Sequence, residues 1–507
     1  MNSTNISFKR ALRIFVFLSV ALTSIFCSKK TAEQSTEKIL ARIGDKTISV
    51  DEFVRRAELA IRPAYCRGND SVHKKIILNT LIAEKLLALE AGKNNELAKN
   101  ELFQGYLKGR KEQAMRQWLY FHDFYDKVKL DTNEIRTAFK LAGRKYDIAY
   151  FTIKDSTVAG QVQEKLQKGF TFREVFQQLE GSEEIPRREV SWNAPEHAAI
   201  HKGLFSRPLQ KDQVIGPIKI EKNFYTVIKI LGWTDQLAVS NSDVQKRLND
   251  VKKKLKEENA SARFREYVGT IMRGRRVVFA KESFHKLVNI FGTVYMKSRN
   301  TGILNLNQGF WVNDSNETGI ENLEIKIKKL EHLPLLRIDN ETWSVGDLKK
   351  EMLSHPLVFR KKRMRKNEFA GQLKFAVVDL IRDKYITQEA YRKGYDKANT
   401  VERNVSMWRD YLTALYQRNK YLKSIGRTED FYEDYLQIIE QDLTPYIDRL
   451  QEKYKNVIEI NTNLLKDVQL TRIDLFVLKK DVPYPVVVPS FPLLTTDNKI
   501  DYGRKTE

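Results

Sequence analysis

Apolar positions in this chain fall at two spacings, and each spacing is used twice. Over Arg42-Ile43-Gly44-Asp45-Lys46-Thr47-Ile48-Ser49-Val50-Asp51-Glu52-Phe53 a short extended stretch turns at Gly44-Asp45 and reaches Ser49, with Glu52 three residues later. That spacing opens a helix, because the hydroxyl and the carboxylate satisfy backbone N–H groups that have no partner in the first turn. The series returns as Arg337-Ile338-Asp339-Asn340-Glu341-Thr342-Trp343-Ser344-Val345-Gly346-Asp347-Leu348, with its turn at Asp339-Asn340. Further on, Leu78, Leu81, Ile82, Leu86 and Leu89 recur at helical spacing, as do Val377, Leu380, Ile381 and Tyr385. Both sets predict amphipathic helices buried along one stripe. Leu81 to Ala91 aligns with Leu380 to Ala390 at nearly the offset that relates the hairpins, so hairpin, capped helix and long helix repeat as a set.

The copies also close alike. In the first, a helix opening at Ser242-Asp243-Val244-Gln245 runs to Tyr267-Val268-Gly269-Thr270-Ile271-Met272 and is followed by Arg275-Arg276-Val277-Val278-Phe279. The weaker counterpart in the second is Tyr446-Ile447-Asp448-Arg449-Leu450 and then Lys455-Asn456-Val457-Ile458. Between these landmarks the first copy is longer by about one domain. The surplus, residues 144–235, starts with a strand rich in aromatic and branched residues, Tyr146 to Ile153. A helix from Val158 to Lys168 ends at Gly169, a second starts at Phe172-Arg173-Glu174, and Val190-Ser191-Trp192 is extended. After Leu204-Phe205 comes a turn, Ile215-Gly216-Pro217-Ile218, and a last strand, Phe224 to Ile230. That order describes a compact α+β module.

The N-terminus changes where such a protein works. Lys9, Arg10 and Arg13 precede the uncharged stretch Ile14 to Phe26, and Cys27 follows it. At about 1.5 Å per residue that stretch falls short of a ~30 Å hydrocarbon core, so it reads as a cleaved signal. Cys27 and the polar tether after it resemble a bacterial lipoprotein signal with the lipid on Cys27, which implies a periplasmic protein held at an envelope membrane, the outer expected before the inner; an uncleaved anchor is the alternative.

Composition narrows the rest. A chain of 507 residues, 42% of them hydrophobic, buries several cores. It has two cysteines; with Cys27 acylated, Cys66 has no partner for an internal disulfide. The formal charge of +23 loses three units with the signal. Export removes nucleic acid as a partner and leaves anionic lipid or acidic polypeptide. The runs Lys252-Lys253-Lys254 and Arg360-Lys361-Lys362-Arg363-Met364-Arg365-Lys366 read first as solvated faces. No Ser/His/Asp triad, phosphate loop, Cys/His metal spacing or dinucleotide fingerprint appears. His197 and His201 stand i, i+4 without a third ligand, so neither metal nor cofactor is expected.

Arg42 to Phe53 with Leu81 to Ala91 resembles the N-terminal helical region of SurA-type and PrsA-type extracytoplasmic foldases. Residues 144–235 resemble their parvulin-type (PpiC) prolyl isomerase domain, best over Gly169-Phe170-Thr171-Phe172-Arg173-Glu174 and Ile215-Gly216-Pro217-Ile218. The resemblance implies a multidomain chain of mostly α-helical chaperone lobes with an inserted α+β parvulin-like domain. Its segments would be a signal (1–27), a tether (28–37), a first lobe (38–140 with 240–300) and the insert (141–236). A connector (301–334), a degenerate second lobe (335–470) and a Pro-containing tail (471–507) would follow, with the two lobes folded separately. Active parvulins carry a histidine in the first strand and another in the last. Here those positions hold Tyr150 and Thr226, and Arg188-Glu189-Val190-Ser191 replaces the family's Gly-Asp-Leu-Gly. Ile200, Leu204 and Phe205 are candidates to line a proline pocket, or else core residues. The expected function is a holding chaperone for unfolded exported chains, outer-membrane proteins among them, with weak or no isomerase activity. The alternatives are an active peptidyl-prolyl isomerase and, third, a basic scaffold on a membrane surface.

Overall fold

The computed structural model describes residues 38–298, 326–470 and 486–506, except residues 222, 362, 363, 429, 430 and 432. Cys27 with the signal and tether, residues 301–325 of the connector and 471–485 of the tail lie outside the described residues.

The chain opens on the hairpin β1 (Ile39–Ile43) and β2 (Lys46–Ser49) and enters α1 (Val50–Glu58). The Ser49 hydroxyl accepts from the Glu52 N–H at 3.1 Å, the cap its spacing predicted. Then come α2 (Ser71–Ala91), α3 (Glu101–Tyr120) leading into a π-helical turn at Phe121–Tyr125, and α4 (Thr132–Leu141). The insert comprises β3 (Arg144–Ile153), α5 (Ser156–Gln167), α6 (Phe172–Glu180), β4 (Arg187–Ser191), α7 (Ala198–Phe205), β5 (Val214–Glu221) and β6 (Phe224–Asp235). The first copy resumes with α8 (Asn241–Met272), β7 (Val277–Phe279) and α9 (Lys281–Ser298). The cap of α8 is Ser240 paired with Asp243, two residues before the expected Ser242. The second copy runs β8 (Pro334–Ile338), β9 (Glu341–Ser344), α10 (Val345–Ser354), α11 (Lys366–Arg392) and α12 (Asn399–Ser424). It ends with α13 (Thr444–Tyr454), β10 (Ile458–Ile460), α14 (Thr462–Asp467) and β11 (Arg504–Lys505).

The strands that close the two copies are exchanged. One sheet has the order β11-β10-β1-β2, with Ala41 opposite Ile460 and Ile43 opposite Ile458. Another has the order β7-β8-β9, with Val277 opposite Ile338 and Phe279 opposite Leu336. The strand ending the second copy therefore completes the first hairpin, and the strand ending the first copy completes the second. Compact units follow these pairings rather than the order of the copies. The first comprises the described residues of Met1–Leu86, Asp430–Asp474 and Phe491–Glu507; the second comprises those of Leu87–Glu429 and Leu475–Ser490. This partition differs from the expected 38–140 with 240–300 set against 335–470.

In the first unit Leu40, Ile43, Ile48, Phe53, Ile458 and Ile460 are fully buried. Helix α2 is not buried on one stripe only: Ile76 to Leu86 are all buried, polar members included. Asn79 donates to the Asp497 carbonyl at 2.9 Å and accepts from Gln451 at 3.0 Å, and Lys74 donates to the carbonyls of Leu465, Lys466 and Val468. A buried helix face stays polar only with such partners. The C-terminal residues supply several of them, and Phe491 and Leu494 are themselves core.

In the second unit, helices from both copies share one core. Met115, Leu119 and Tyr120 of α3 and Phe264 of α8 pack with Ile386 of α11 and Val401 of α12. Gly109 permits the approach of α3 to the end of α10, since a Cβ there would stand 1.8 Å from the Ser354 carbonyl oxygen.

Candidate functional site

The insert is an antiparallel four-stranded sheet of order β4-β3-β6-β5. Alternation sends Ala149, Phe151, Ile153 and Val227 to one face, where Phe172, Val175 and Phe176 of α6 cover them. Thr171 and Glu174 form a capping box that starts α6 where the sequence placed it. The opposite face carries Tyr146, Ile148, Ile228 and Ile230 and is covered by α7. Helix α7 was not legible in the sequence: eight residues with a histidine and a glycine among them give no clear 3.6-residue pattern. The expected turn at Ile215-Gly216-Pro217-Ile218 is part of strand β5. There Gly216 sits at φ +107, and a Cβ would lie 2.7 Å from the Thr226 carbonyl oxygen.

The register brings the two singled-out strand positions together. Tyr150 lies opposite Ile228, and Thr226 lies opposite Thr152. Tyr150 and Thr226 are thus diagonal neighbours on the α7 face. Thr226 is 3% exposed. Tyr150 is half-buried and packs against the cluster that holds Ile200, Leu204 and Phe205, which are 6%, 0% and 3% exposed. All three are core side chains that close this face over the sheet. The Arg188 guanidinium lies 4.9 Å from the centre of the Tyr150 ring. Glu196 fixes Arg188 through both carboxylate oxygens, one of them at 2.9 Å. The segment Arg188-Glu189-Val190-Ser191 before Trp192 therefore supplies the lid on Tyr150, a cation over an aromatic face.

Both histidines of the i, i+4 pair make contacts within the protein. His197 caps α7, its Nδ1 accepting from the Ala199 N–H at 3.2 Å. His201 is buried, with Nε2 at 3.1 Å from the Trp192 carbonyl oxygen and Nδ1 at 3.3 Å from the Glu258 carboxylate on α8. That contact, which nothing in the sequence signalled, ties the insert to the long helix. Among the described residues no cluster of three or more His, Cys, Asp or Glu could hold a metal ion. Cys66 is buried.

Two concavities flank these elements. One, of about 440 Å³, lies on the α5 side of the insert between Leu166, Phe170 and Phe172 and the Val214–Gly216 stretch. At its rim the Lys229 ammonium donates to Asp212 at 2.9 Å and holds that carboxyl below its ordinary range. The other, of about 470 Å³, opens between the π-helical turn, the chain leading into α4, and α8.

No protein-family model matches this chain, and no curated protein matches it. The structure defines a mostly helical, multidomain protein with small sheets. Among the described residues no helix is long and apolar enough to cross a membrane.

Proposed function

We propose that this chain is a periplasmic holding chaperone of the SurA/PrsA type, tethered to a membrane through lipid on Cys27, that shields unfolded exported polypeptides. Its insert is parvulin-like in this reading, with weak or no isomerase activity. The order β-α-α-β-α-β-β, with neighbouring strands β4-β3-β6-β5, supports the parvulin likeness. The repeated hairpin-and-helix frame supports the foldase likeness.

One observation carries the proposal: the two positions matched to the family's histidines are diagonal neighbours on one face, and that face is filled. Rotating a prolyl bond means crossing about 18–20 kcal/mol, which a site lowers by holding the proline ring in a dry pocket and twisting the amide. Tyr150 under Arg188, with Ile200, Leu204 and Phe205 buried behind it, takes up the part of that face around the two positions. Thr226 offers a hydroxyl where the family places an imidazole. A chain that binds without turning over needs only transient contacts, in the mM to tens of µM range or about 4–7 kcal/mol.

A protease-coupled prolyl-peptide assay on the full soluble chain, run beside an active parvulin, tests this. Turnover at background is expected. A specificity constant within about tenfold of the active enzyme would replace the holding reading with an enzymatic one. The anchor is tested separately: with Cys27→Ala the processed protein should leave the membrane fraction, and retention there would refute lipidation at Cys27.

A further inference from the structure

The lysine run at Lys252-Lys253-Lys254 borders the larger of the two concavities, and the holding function as stated makes no use of it. The floor is apolar: Tyr125 at the end of the π-helical turn, Val128 at 7% exposure, and the half-buried Leu130 and Ile135. Leu130 packs against both the insert core and the helical core, so the groove lies where these two cores meet. Its far wall is α8, which contributes Lys252, Lys253 and Lys256. Lys252 and Lys253 are exposed, and Lys256 stacks over the Tyr125 ring at 4.5 Å while standing 3.8 Å from the largely exposed Asp126. Three lysine side chains thus line, with this apolar floor, a concavity of about 470 Å³, a size within the range of ligand sites and large enough for a few side chains.

We infer that this groove is a client-binding site selective for polypeptide segments in which acidic residues flank large apolar ones. The inference rests on the holding function and names its substrate class. The floor takes the apolar side chains out of water, the term that drives association. The lysines attract the flanking carboxylates, which sets preference and on-rate more than total affinity. Lys256 over Tyr125 presents a cation and an apolar face at one point, suited to an acid beside an aromatic residue. A π-helical turn next to the groove fits a binding role, since such turns recur at functional sites.

The test uses the full soluble chain and three fluorescent peptides sharing one Leu/Phe core, flanked by glutamate, by lysine or by serine. Anisotropy at low salt should give about tenfold tighter binding of the glutamate-flanked peptide than of the lysine-flanked one, with the gap shrinking as salt rises. Lys252→Glu with Lys253→Glu should abolish that preference and leave the serine-flanked peptide within about twofold of its wild-type affinity. Equal binding of the charged peptides overturns the groove assignment alone, as does a preference that survives the charge reversal. Lysine-dependent binding to vesicles with anionic headgroups, without a peptide preference, also overturns it and points to a lipid surface. Failure of all three peptides to bind overturns both this assignment and the holding function beneath it.

Discussion

At the acid-lysine step shared by the two copies, Glu84-Lys85 and Asp383-Lys384, one residue pattern meets two different solutions. In the first copy both Glu84 oxygens take the Arg56 guanidinium of α1, at 3.1 and 2.7 Å, and both side chains are 0% exposed. Lys85 reaches Glu52 at 2.9 Å. In the second copy the repeat register puts Glu351 where Arg56 would stand, so the arginine of α1 has no counterpart. Lys384 pairs with that Glu351 at 2.5 Å. Asp383 is served instead by His355 at 3.0 Å, by Arg382 at 2.7 Å and, more distantly, by Arg116 of α3. The repeat therefore preserves where a buried acid sits, while tertiary surroundings choose its partner. The strand exchange follows the same logic: each hairpin keeps its sequence and takes its third strand from the other copy.

The sharpest way to break the comparison is at Arg56. Arg56→Met leaves the fully buried Glu84 carboxylate with only the Lys85 ammonium, at 3.7 Å, and should cost about 3 kcal/mol; adding Glu84→Met should restore most of it, because uncharged side chains of similar volume need no partner. Urea unfolding reads both. A cost under about 1 kcal/mol for the single variant would mean that Glu84 is not buried as described.

The next effect lies in the β11-β10-β1-β2 sheet, whose fourth strand has, among the described residues, no counterpart in the β7-β8-β9 sheet. Gly503 sits at φ +71 beside β10, and a Cβ there would come within 2.9 Å of the Ile458 side chain and carbonyl oxygen. Gly503→Ala should destabilise the chain by about 1–3 kcal/mol. A thermal melt unchanged from wild type would count against that packing.

Acid should distinguish the copies too. Burial pushes the Asp383 carboxyl up, but the His355 hydrogen bond and the charges of Arg116 and Arg382 outweigh it and bring it down to about 2. A depressed carboxyl contributes stability that is fully present above its unfolded value and is lost as pH falls through the folded one. Between about pH 4 and pH 2 the wild type should shed on the order of 2 kcal/mol that Asp383→Asn does not shed. Parallel acid unfolding curves for the two proteins would contradict this.

The mildest perturbation tests the exchange itself. Arg42 faces Glu459 across β1 and β10, and Val278 faces Arg337 across β7 and β8. Cysteine pairs at Arg42/Glu459 and at Val278/Arg337 should oxidise to internal cross-links identified by peptide mapping, at a cost to stability below about 1 kcal/mol. Failure of either pair to cross-link would contradict the strand exchange.

Much of this was legible because the informative signals are local. Ser49 with Glu52, Ser344 with Asp347 and Thr171 with Glu174 mark helix starts through backbone groups three residues away, and the structure caps helices at all three. The α8 cap slipped by two residues because Ser240 with Asp243 and Ser242 with Gln245 both have the capping-box spacing, and polar spacing alone does not choose between them. What the sequence hid is non-local. Val277 to Phe279 and Ile458 to Ile460 were recognisable as closing segments, but no residue in them encodes which hairpin they join. Likewise Tyr150 and Thr226 were identified as strand positions, while their closure by Arg188, Glu196 and α7 depends on residues that meet only in the folded insert.

The claim that this chain holds unfolded exported polypeptides is tested most directly by light scattering. A denatured outer-membrane protein is diluted into buffer with and without the soluble chain, from substoichiometric amounts to excess. Scattering should fall in proportion to added chain and level off near stoichiometric amounts, without ATP and without any rise in prolyl isomerisation rate. Scattering that stays at the level of the client alone, with the soluble chain in excess and folded, would contradict the account.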